Sequence, residues 1–358
     1  MTRFAFRVNG NKDIGMGHLI RCLTLSKYLE GSSLFLINDH AKMSAKVREF
    51  GHDYSVISSV TGKDFEVMVD AMECYPDSIG RAQPCEKEEC QEIQTLLQEK
   101  KIEVLITDLV APSNQYLNTL KEIGILLVCI DELGQPKFPS DLVFNCNAVS
   151  GQKSYNTEKK TKIYMGQQYA LLRSDFSRPD GITVNPTVRK VLVTCGATDM
   201  KGLSLKALEA LKPFSEELEI SLVVGIDFKF EAKLADVLKE MKKVRVLKDV
   251  KDMYSLMLSA DMAIASGGTT MYELAALGIP SIILDQYMHQ REFACELEKQ
   301  GALINLGLGE TLDVQTIRDA ITQLLPFEKR KKISLAARRA IDGQGAMRVA
   351  KIIQEAAA

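Results

Sequence analysis

The segment FAFRVNGNKDIGMGHLIR, Phe4 to Arg21, restricts this chain to a small set of folds: a short strand, a glycine loop, then a helix with His18 on its first turn. Phe4, Phe6 and Val8 alternate as the residues of a buried strand do, and Gly15 and Gly17 let backbone N–H groups approach a ligand closely. Leu19, Ile20, Leu23, Leu25 and Leu29 then supply a broad apolar face, so the segment reads as the opening βα unit of a doubly wound domain. A helix N-terminus attracts anions. His18 stands at that mouth, either as a general base or as a capping or packing residue.

The alternation of strand and helix patterns continues. Strand-like runs at Ser33–Ile37, Ile102–Thr107, Leu126–Ile130 and Leu142–Asn145 are separated by helical patterns such as Cys90–Gln98 and Asn114–Glu122, which predicts a mostly parallel sheet. Met72 to Glu89 is polar and holds two prolines, and reads as a loop or irregular helix whose acidic run Glu86–Glu89 is a solvated helix start. Ser177 to Arg189, SRPDGITVNPTVR, breaks the pattern and reads as a linker. A second series of strands follows at Lys190–Cys195, Ile220–Val224, Val244–Leu247, Met262–Ala265, Ser281–Leu284 and Leu303–Leu306. The fold class is α/β, with two Rossmann-like domains at 1–180 and 187–340 and a terminal helix over 341–358. Two such domains make an interdomain cleft the default ligand site.

Composition narrows the partners. With 46% hydrophobic residues, 26% charged residues and a net charge of −2, the chain has no basic track for nucleic acid, and an anionic ligand must be held by local geometry. Lys239 to Lys243 reads as a solvated helix face. The eight cysteines show no paired pattern; Cys22, Cys129, Cys146 and Cys195 lie in or beside apolar runs, and Cys85 and Cys90 lack the partners of a zinc site. No metal is expected. No run approaches the ~18 uncharged residues of a membrane helix, so no stable membrane insertion is expected and the predicted location is cytoplasmic, with reduced thiols.

Three loops can carry chemistry. Gly15-Met16-Gly17-His18 is a partial dinucleotide fingerprint: Ile20 occupies the third small-residue position, while Asp39 could bind a ribose, which keeps an NAD reading open. Ala265 to Pro280, ASGGTTMYELAALGIP, passes from a strand through small residues into a helix. Amides of Gly267, Gly268, Thr269 and Thr270 can bind a phosphate there, assisted by the hydroxyls of Ser266 and Thr269. Glu273 is placed to hold ribose hydroxyls, or else completes a capping box with Thr270. Thr194 to Asp199, TCGATD, offers a third turn at Gly196, Thr198 and Asp199, in which Asp199 either meets a ligand or caps the next helix.

Together with FNCNA (Phe144–Ala148), YALLRSDF (Tyr169–Phe176) and DGQGAMRVA (Asp342–Ala350), these segments resemble, in order and over nearly the whole chain, the PseG/SpsG family of nucleotide-sugar enzymes, itself similar to MurG-type glycosyltransferases. The resemblance implies a GT-B architecture with a UDP-sugar in the cleft and no cofactor. It implies a hydrolase of pseudaminic-type or surface polysaccharide synthesis that releases a diacetamido-trideoxy hexose from UDP. By the same resemblance His18 activates water and Gly15 and Gly17 belong to its loop. Glu273 with Ser266–Thr270 would hold ribose and phosphates. Asn145, Asn147, Tyr169, Leu171 and Arg173 would face the sugar, and the last helix would return toward the first domain. Family hydrolases continue Asp-His-Tyr-Gly after the strand Val104–Thr107, whereas this chain reads Asp108-Leu109-Val110-Ala111. That departure leaves a soluble GT-B glycosyltransferase, or a non-catalytic nucleotide-sugar binder, as alternatives. Oligomeric state is not indicated.

Overall fold

The computed structural model describes residues 1–9, 16–38, 41–57, 86–109, 112–132, 139–146, 155, 160–177, 182–196, 199–225 and 228–358, apart from the side chains of Glu86 and His289. The chain divides into two compact units, Met1–Arg173 with Gln344–Ala358, and Ser174–Gly343.

The first unit is built on seven strands: β1 (Thr2–Val8), β2 (Gly31–Asn38), β3 (Asp53–Ile57), β4 (Val104–Asp108), β5 (Leu126–Ile130), β6 (Leu142–Asn145) and β7 (Lys162–Met165). They pair in parallel in the order β3-β2-β1-β4-β5-β6-β7. Between them lie α1 (Gly17–Ser26), α2 (Ala41–Glu49), α3 (Glu86–Glu99) and α4 (Asn114–Lys121). A parallel sheet covered on both faces needs strands that are apolar on both sides, and β1 meets that demand. Phe4, Phe6 and Val8 pack with Leu19, Cys22 and Leu23 of α1. Ala5 lies with Cys90, Ile93 and Leu97 of α3 and Leu117 of α4. Burying each large apolar side chain of this kind is worth about 1.5–3 kcal/mol.

Two strands are absent from the sequence expectations. Among the described residues β3 and β7 are the two edges of the sheet, and their sequences, DYSVI and KIYM, mix polar and apolar residues because one side of each meets no further described strand. The acidic run Glu86–Glu89 does begin a helix, but Glu89 is not solvated as expected. It pairs at 2.8 Å with the fully buried Arg7 of β1 and accepts a hydrogen bond from the Tyr116 hydroxyl at 2.6 Å. Arg7 is a charge on the α3 face of a central strand, and an unpaired charge there would be prohibitive, so the helix start turns inward.

The second unit repeats the plan with β8 (Lys190–Thr194), β9 (Glu219–Val224), β10 (Val244–Lys248), β11 (Met262–Ser266), β12 (Ser281–Asp285) and β13 (Ile304–Leu308). Their order is β10-β9-β8-β11-β12-β13, all parallel. The helices are α5 (Leu203–Leu211), α6 (Glu231–Leu238), α7 (Met253–Leu258), α8 (Thr269–Leu277), α9 (Met288–Lys299), α10 (Val314–Leu324) and α11 (Phe327–Ala340). The segment read as a linker is anchored to this unit. Ile182 N–H donates to the Leu277 carbonyl at 3.0 Å, and the buried Arg330 donates to the carbonyls of Asn185 and Pro186 at 2.8 and 2.9 Å. The last helix, α12 (Gly345–Ala357), belongs to the first unit, where Ala346, Val349, Ala350 and Ile353 join the core formed by β1 and α1.

Both sheets have a topological switch point, between β1 and β4 in the first unit and between β8 and β11 in the second. Ligands of doubly wound sheets bind outside the carboxyl ends of the strands at such points.

Candidate active site

At the first switch point the register pairs Val8 with Asp108, so Asp108 closes β4 beside the start of the glycine loop. α1 begins on the other side of that loop with Met16 as its N-cap and no side-chain cap. A Cβ at Gly17 would meet open space, and the imidazole of His18, 11% exposed, reaches Asp108 with Nδ1 2.7 Å from Oδ1. One turn later Arg21 grips the same carboxylate with Nε and Nη2, and its Nη1 donates to Glu132. The spacing from 18 to 21 puts both side chains on one face of the helix.

Burial by itself would raise the Asp108 pKa. Arg21 first and His18 second reverse that and hold the carboxyl well below its ordinary range. An ionised Asp108 fixes the histidine. Arg21 has no acceptor, so its Nη2, 2.9 Å from Nδ1, cannot share a proton that Nδ1 gives up. The charge-assisted bond from Nδ1–H to Asp108 orients the ring, and in the neutral imidazole it leaves the Nε2 lone pair available as a base. The thiols nearby are inert: burial pushes Cys146 up to about 12, and Cys22, which donates to Asp108 Oδ2 at 3.4 Å, is raised too.

Of the residues expected on the sugar side, Asn145, Tyr169, Leu171 and Arg173 are described, and the first three are packing or bracing residues of the first unit. Asn145 is fully buried and donates to Asp131 at 3.2 Å and to the Tyr155 hydroxyl at 2.7 Å, which makes it a brace between strand ends. Tyr169 packs edge-on against Phe144 and Tyr164, and Leu171 lies in the core. Arg173 is half-buried at the boundary of the unit. Gly15, Asn147 and Val110 lie outside the described residues, as do Thr198 and the Asp39 on which the NAD reading depends.

At the second switch point the loops after β8, β11 and β12 converge. Gly196 has φ +86°, a conformation that favours glycine, and a Cβ there would approach Gln286 Nε2 at 3.4 Å and Ser266 Oγ at 3.8 Å. Gln286 donates through Nε2 to the Cys195 carbonyl at 2.6 Å, tying the first loop to the third. Gly267 is packed against Asp285 and against Gln290 Cβ, 2.9 Å from where its own Cβ would be. Gly268 is the N-cap of α8 and supplies no side-chain cap, and the space over its Cα is open. The first N–H groups of α8 therefore have no side-chain acceptor from the cap. Thr269 is exposed and Thr270 half-buried at the same mouth, and Glu273 is buried on the second turn. Since the N-cap is Gly268, Thr270 and Glu273 are not in capping-box positions.

Asp199 takes the capping role of its two readings. It has φ +41°, is buried, and accepts from Leu203 N at 2.8 Å and Ser204 N at 3.0 Å. Both oxygens are committed to the start of α5. Burial raises its pKa, and the bonds from Ser204 and Leu203 oppose that rise.

Sequence reasoning missed Arg21, Glu132, Asp285, Gln286 and Gln290, and quoted Asp108 only as part of a motif. One signal was available: VLITD and SIILD are both buried strands that end in an acid at the carboxyl edge. Among the described residues no group of three or more His, Cys, Asp or Glu could hold a metal, and no helix is long and apolar enough to cross a membrane.

Residues 190–354 match the model of the glycosyltransferase family 28 C-terminal domain. The spore coat polysaccharide biosynthesis protein SpsG of Bacillus subtilis is 25% identical over 97% of this chain and 96% of its own length. The UDP-N-acetylglucosamine–N-acetylmuramyl-(pentapeptide) pyrophosphoryl-undecaprenol N-acetylglucosamine transferase of Acetivibrio thermocellus is 29% identical over 42% of each chain. The crystal structure of MurG from Acinetobacter baumannii superimposes with a TM-score of 0.66, covering 99% of this chain and 100% of that one at 14% identity. The chain is thus similar to SpsG along nearly its full length and to the glycosyltransferase family 28 C-terminal domain over residues 190–354, and it has the GT-B fold of MurG.

Proposed function

We propose that this protein is a UDP-sugar hydrolase of surface polysaccharide or pseudaminic-type acid synthesis, acting in the cytoplasm on a diacetamido-trideoxy hexose carried by UDP. The observation that carries this reading is His18, whose Nδ1 lies 2.7 Å from the ionised Asp108 at the carboxyl end of the central strands of the first unit, an arrangement that suits Nε2 to act as a base. In the proposed step a water oxygen forms a bond to the anomeric carbon as His18 Nε2 takes its proton, and the anomeric C–O bond breaks with its electron pair going to the β-phosphate of UDP. General base catalysis of this kind contributes roughly 10²–10⁴ in rate.

The second unit would hold the leaving group. Glu273 binds the ribose hydroxyls, and the turn Ser266–Thr270 offers amides to the diphosphate. Charge develops on the diphosphate as the bond breaks, so preorganised amides favour the transition state over the bound substrate. The likeness to a UDP-N-acetylglucosamine-dependent transferase supports UDP as the nucleotide.

That likeness, with the family 28 domain, also supports a second reading in which an acceptor hydroxyl replaces water. Leu109, where family hydrolases carry histidine, points the same way. Incubation with a panel of UDP-sugars in oxygen-18 water and no acceptor distinguishes the two. Release of UDP with label in the sugar supports hydrolysis. Release only after an acceptor is added establishes the transferase, and label only in phosphate refutes attack at carbon.

A further inference from the structure

Among the described residues Asp285 is a buried carboxyl that accepts no hydrogen bond on either oxygen. It ends β12 and has no exposed surface. A Cβ built at Gly267 would collide with its Oδ1, so the carboxyl lies directly against the turn that leads into α8. The next residue, Gly268, caps α8 without a side chain and leaves the mouth of a nine-residue helix open.

We propose that Asp285 is a proton-holding positioning residue, whose carboxyl takes up a proton when the diphosphate of UDP occupies the mouth of α8. This rests on the reading of that mouth as the nucleotide site. A buried carboxylate with no donor is strongly disfavoured, and a second negative charge beside it disfavours it further. The groups acting on Asp285 come from three sides. α9 presents Arg291, which favours the anion, and Glu298, which opposes it; β13 presents the Asn305 amide, which favours the anion without a bond of normal geometry. The turn Ser266–Gly268 holds no titratable group, and α8 carries Tyr272 and Glu273. Burial outweighs the opposing contacts and pushes the carboxyl up to about 7.

The sign of the coupling follows from linkage. An anion that raises the pKa of this carboxyl must itself bind the protonated form more tightly. Below about pH 7 the site is already protonated and affinity is level. Above it, affinity falls toward tenfold per pH unit, or about eightfold between pH 7.5 and 8.5 for a carboxyl titrating at about 7.

The test is calorimetry of UDP on the full chain at about pH 8, in buffers of different ionisation enthalpy, where the terminal phosphate of UDP is ionised. Wild type is expected to take up close to one proton per UDP bound. Asp285→Asn keeps the shape and is always neutral, so it should bind UDP with no uptake and with affinity level in pH. Binding to wild type without uptake, or uptake that persists in Asp285→Asn, overturns the coupling alone. Should the variant not fold, the wild-type proton count and pH profile still decide. Absence of UDP binding at any pH overturns the nucleotide reading, and the coupling with it.

Discussion

Asp108→Asn removes one charge from the first unit and almost no volume, which makes it a sharp probe of the His18 cluster. In the wild type Asp108 is buried, takes two contacts from Arg21 and holds His18 at 2.7 Å. The variant leaves the Arg21 guanidinium with Glu132 as its remaining carboxylate in the cluster, and that group is 27% exposed. Removing one partner of a buried pair costs about 3–5 kcal/mol, and because the asparagine oxygen still accepts one Arg21 N–H, about 3 kcal/mol is expected. At roughly 2–4 °C per kcal/mol for a unit of this size, Tm falls by about 6–12 °C. The pH dependence has a definite sign. The Asp108 pKa is depressed in the folded state, so its contribution is present above the unfolded value of about 4 and is lost as pH falls through the lower folded value. The gap between the two proteins should therefore stay constant from neutrality to about pH 4 and narrow in stronger acid. The catalytic effect is separate. An asparagine amide donates to Nδ1, moves the imidazole proton to Nε2 and removes the base, so turnover should fall by roughly 10²–10⁴. Nitrogen-15 spectra of the imidazole should show Nδ1–H in wild type and Nε2–H in the variant. Retention of the Nδ1–H form with wild-type release of UDP, or an unchanged Tm, refutes the reasoning.

His18→Asn should leave Tm and UDP affinity near wild type and lower turnover by ~10² or more; a fall in Tm with normal turnover of the folded fraction would make His18 a structural residue. Glu273→Ala should weaken UDP by roughly 2–3 kcal/mol in calorimetry, as the loss of a charge-assisted contact to ribose requires. Unchanged affinity would put the ribose elsewhere. Asp199→Ala should cost about 0.5–2 kcal/mol of stability through the lost cap of α5 and leave UDP affinity near wild type, and a large loss of affinity would restore it to the ligand.

Much of the scaffold was legible because parallel strands buried on both faces are nearly continuous apolar runs. β1, β4, β5 and β8 could be read in this way, and so could the order of strand, loop and helix around Gly17 and Gly267. The edges β3 and β7 were not, since a strand with one neighbour tolerates polar residues. The candidate site divides similarly. Glycine turns and helix starts are local patterns, so Ser266–Thr270 and His18 stood out. The partners of His18 are set by the sheet. Asp108 lies ninety positions away in sequence and becomes its neighbour through the pairing of β1 with β4. Asp199 shows the converse limit, because a carboxylate at a helix start has the same local pattern whether it caps the helix or meets a ligand.

The return of α12 to the first unit bears on how the chain is made. The second unit is one uninterrupted stretch and can close its core as soon as residue 343 has been synthesised. The seven described strands of the first unit are complete by residue 165, yet Val349, Ala350 and Ile353 are still missing from the core beside Leu19 and Leu23. Domains usually fold in order of synthesis. Here the unit that begins first finishes last, and its apolar α1 face must wait, uncovered, for a helix made after the whole of its neighbour.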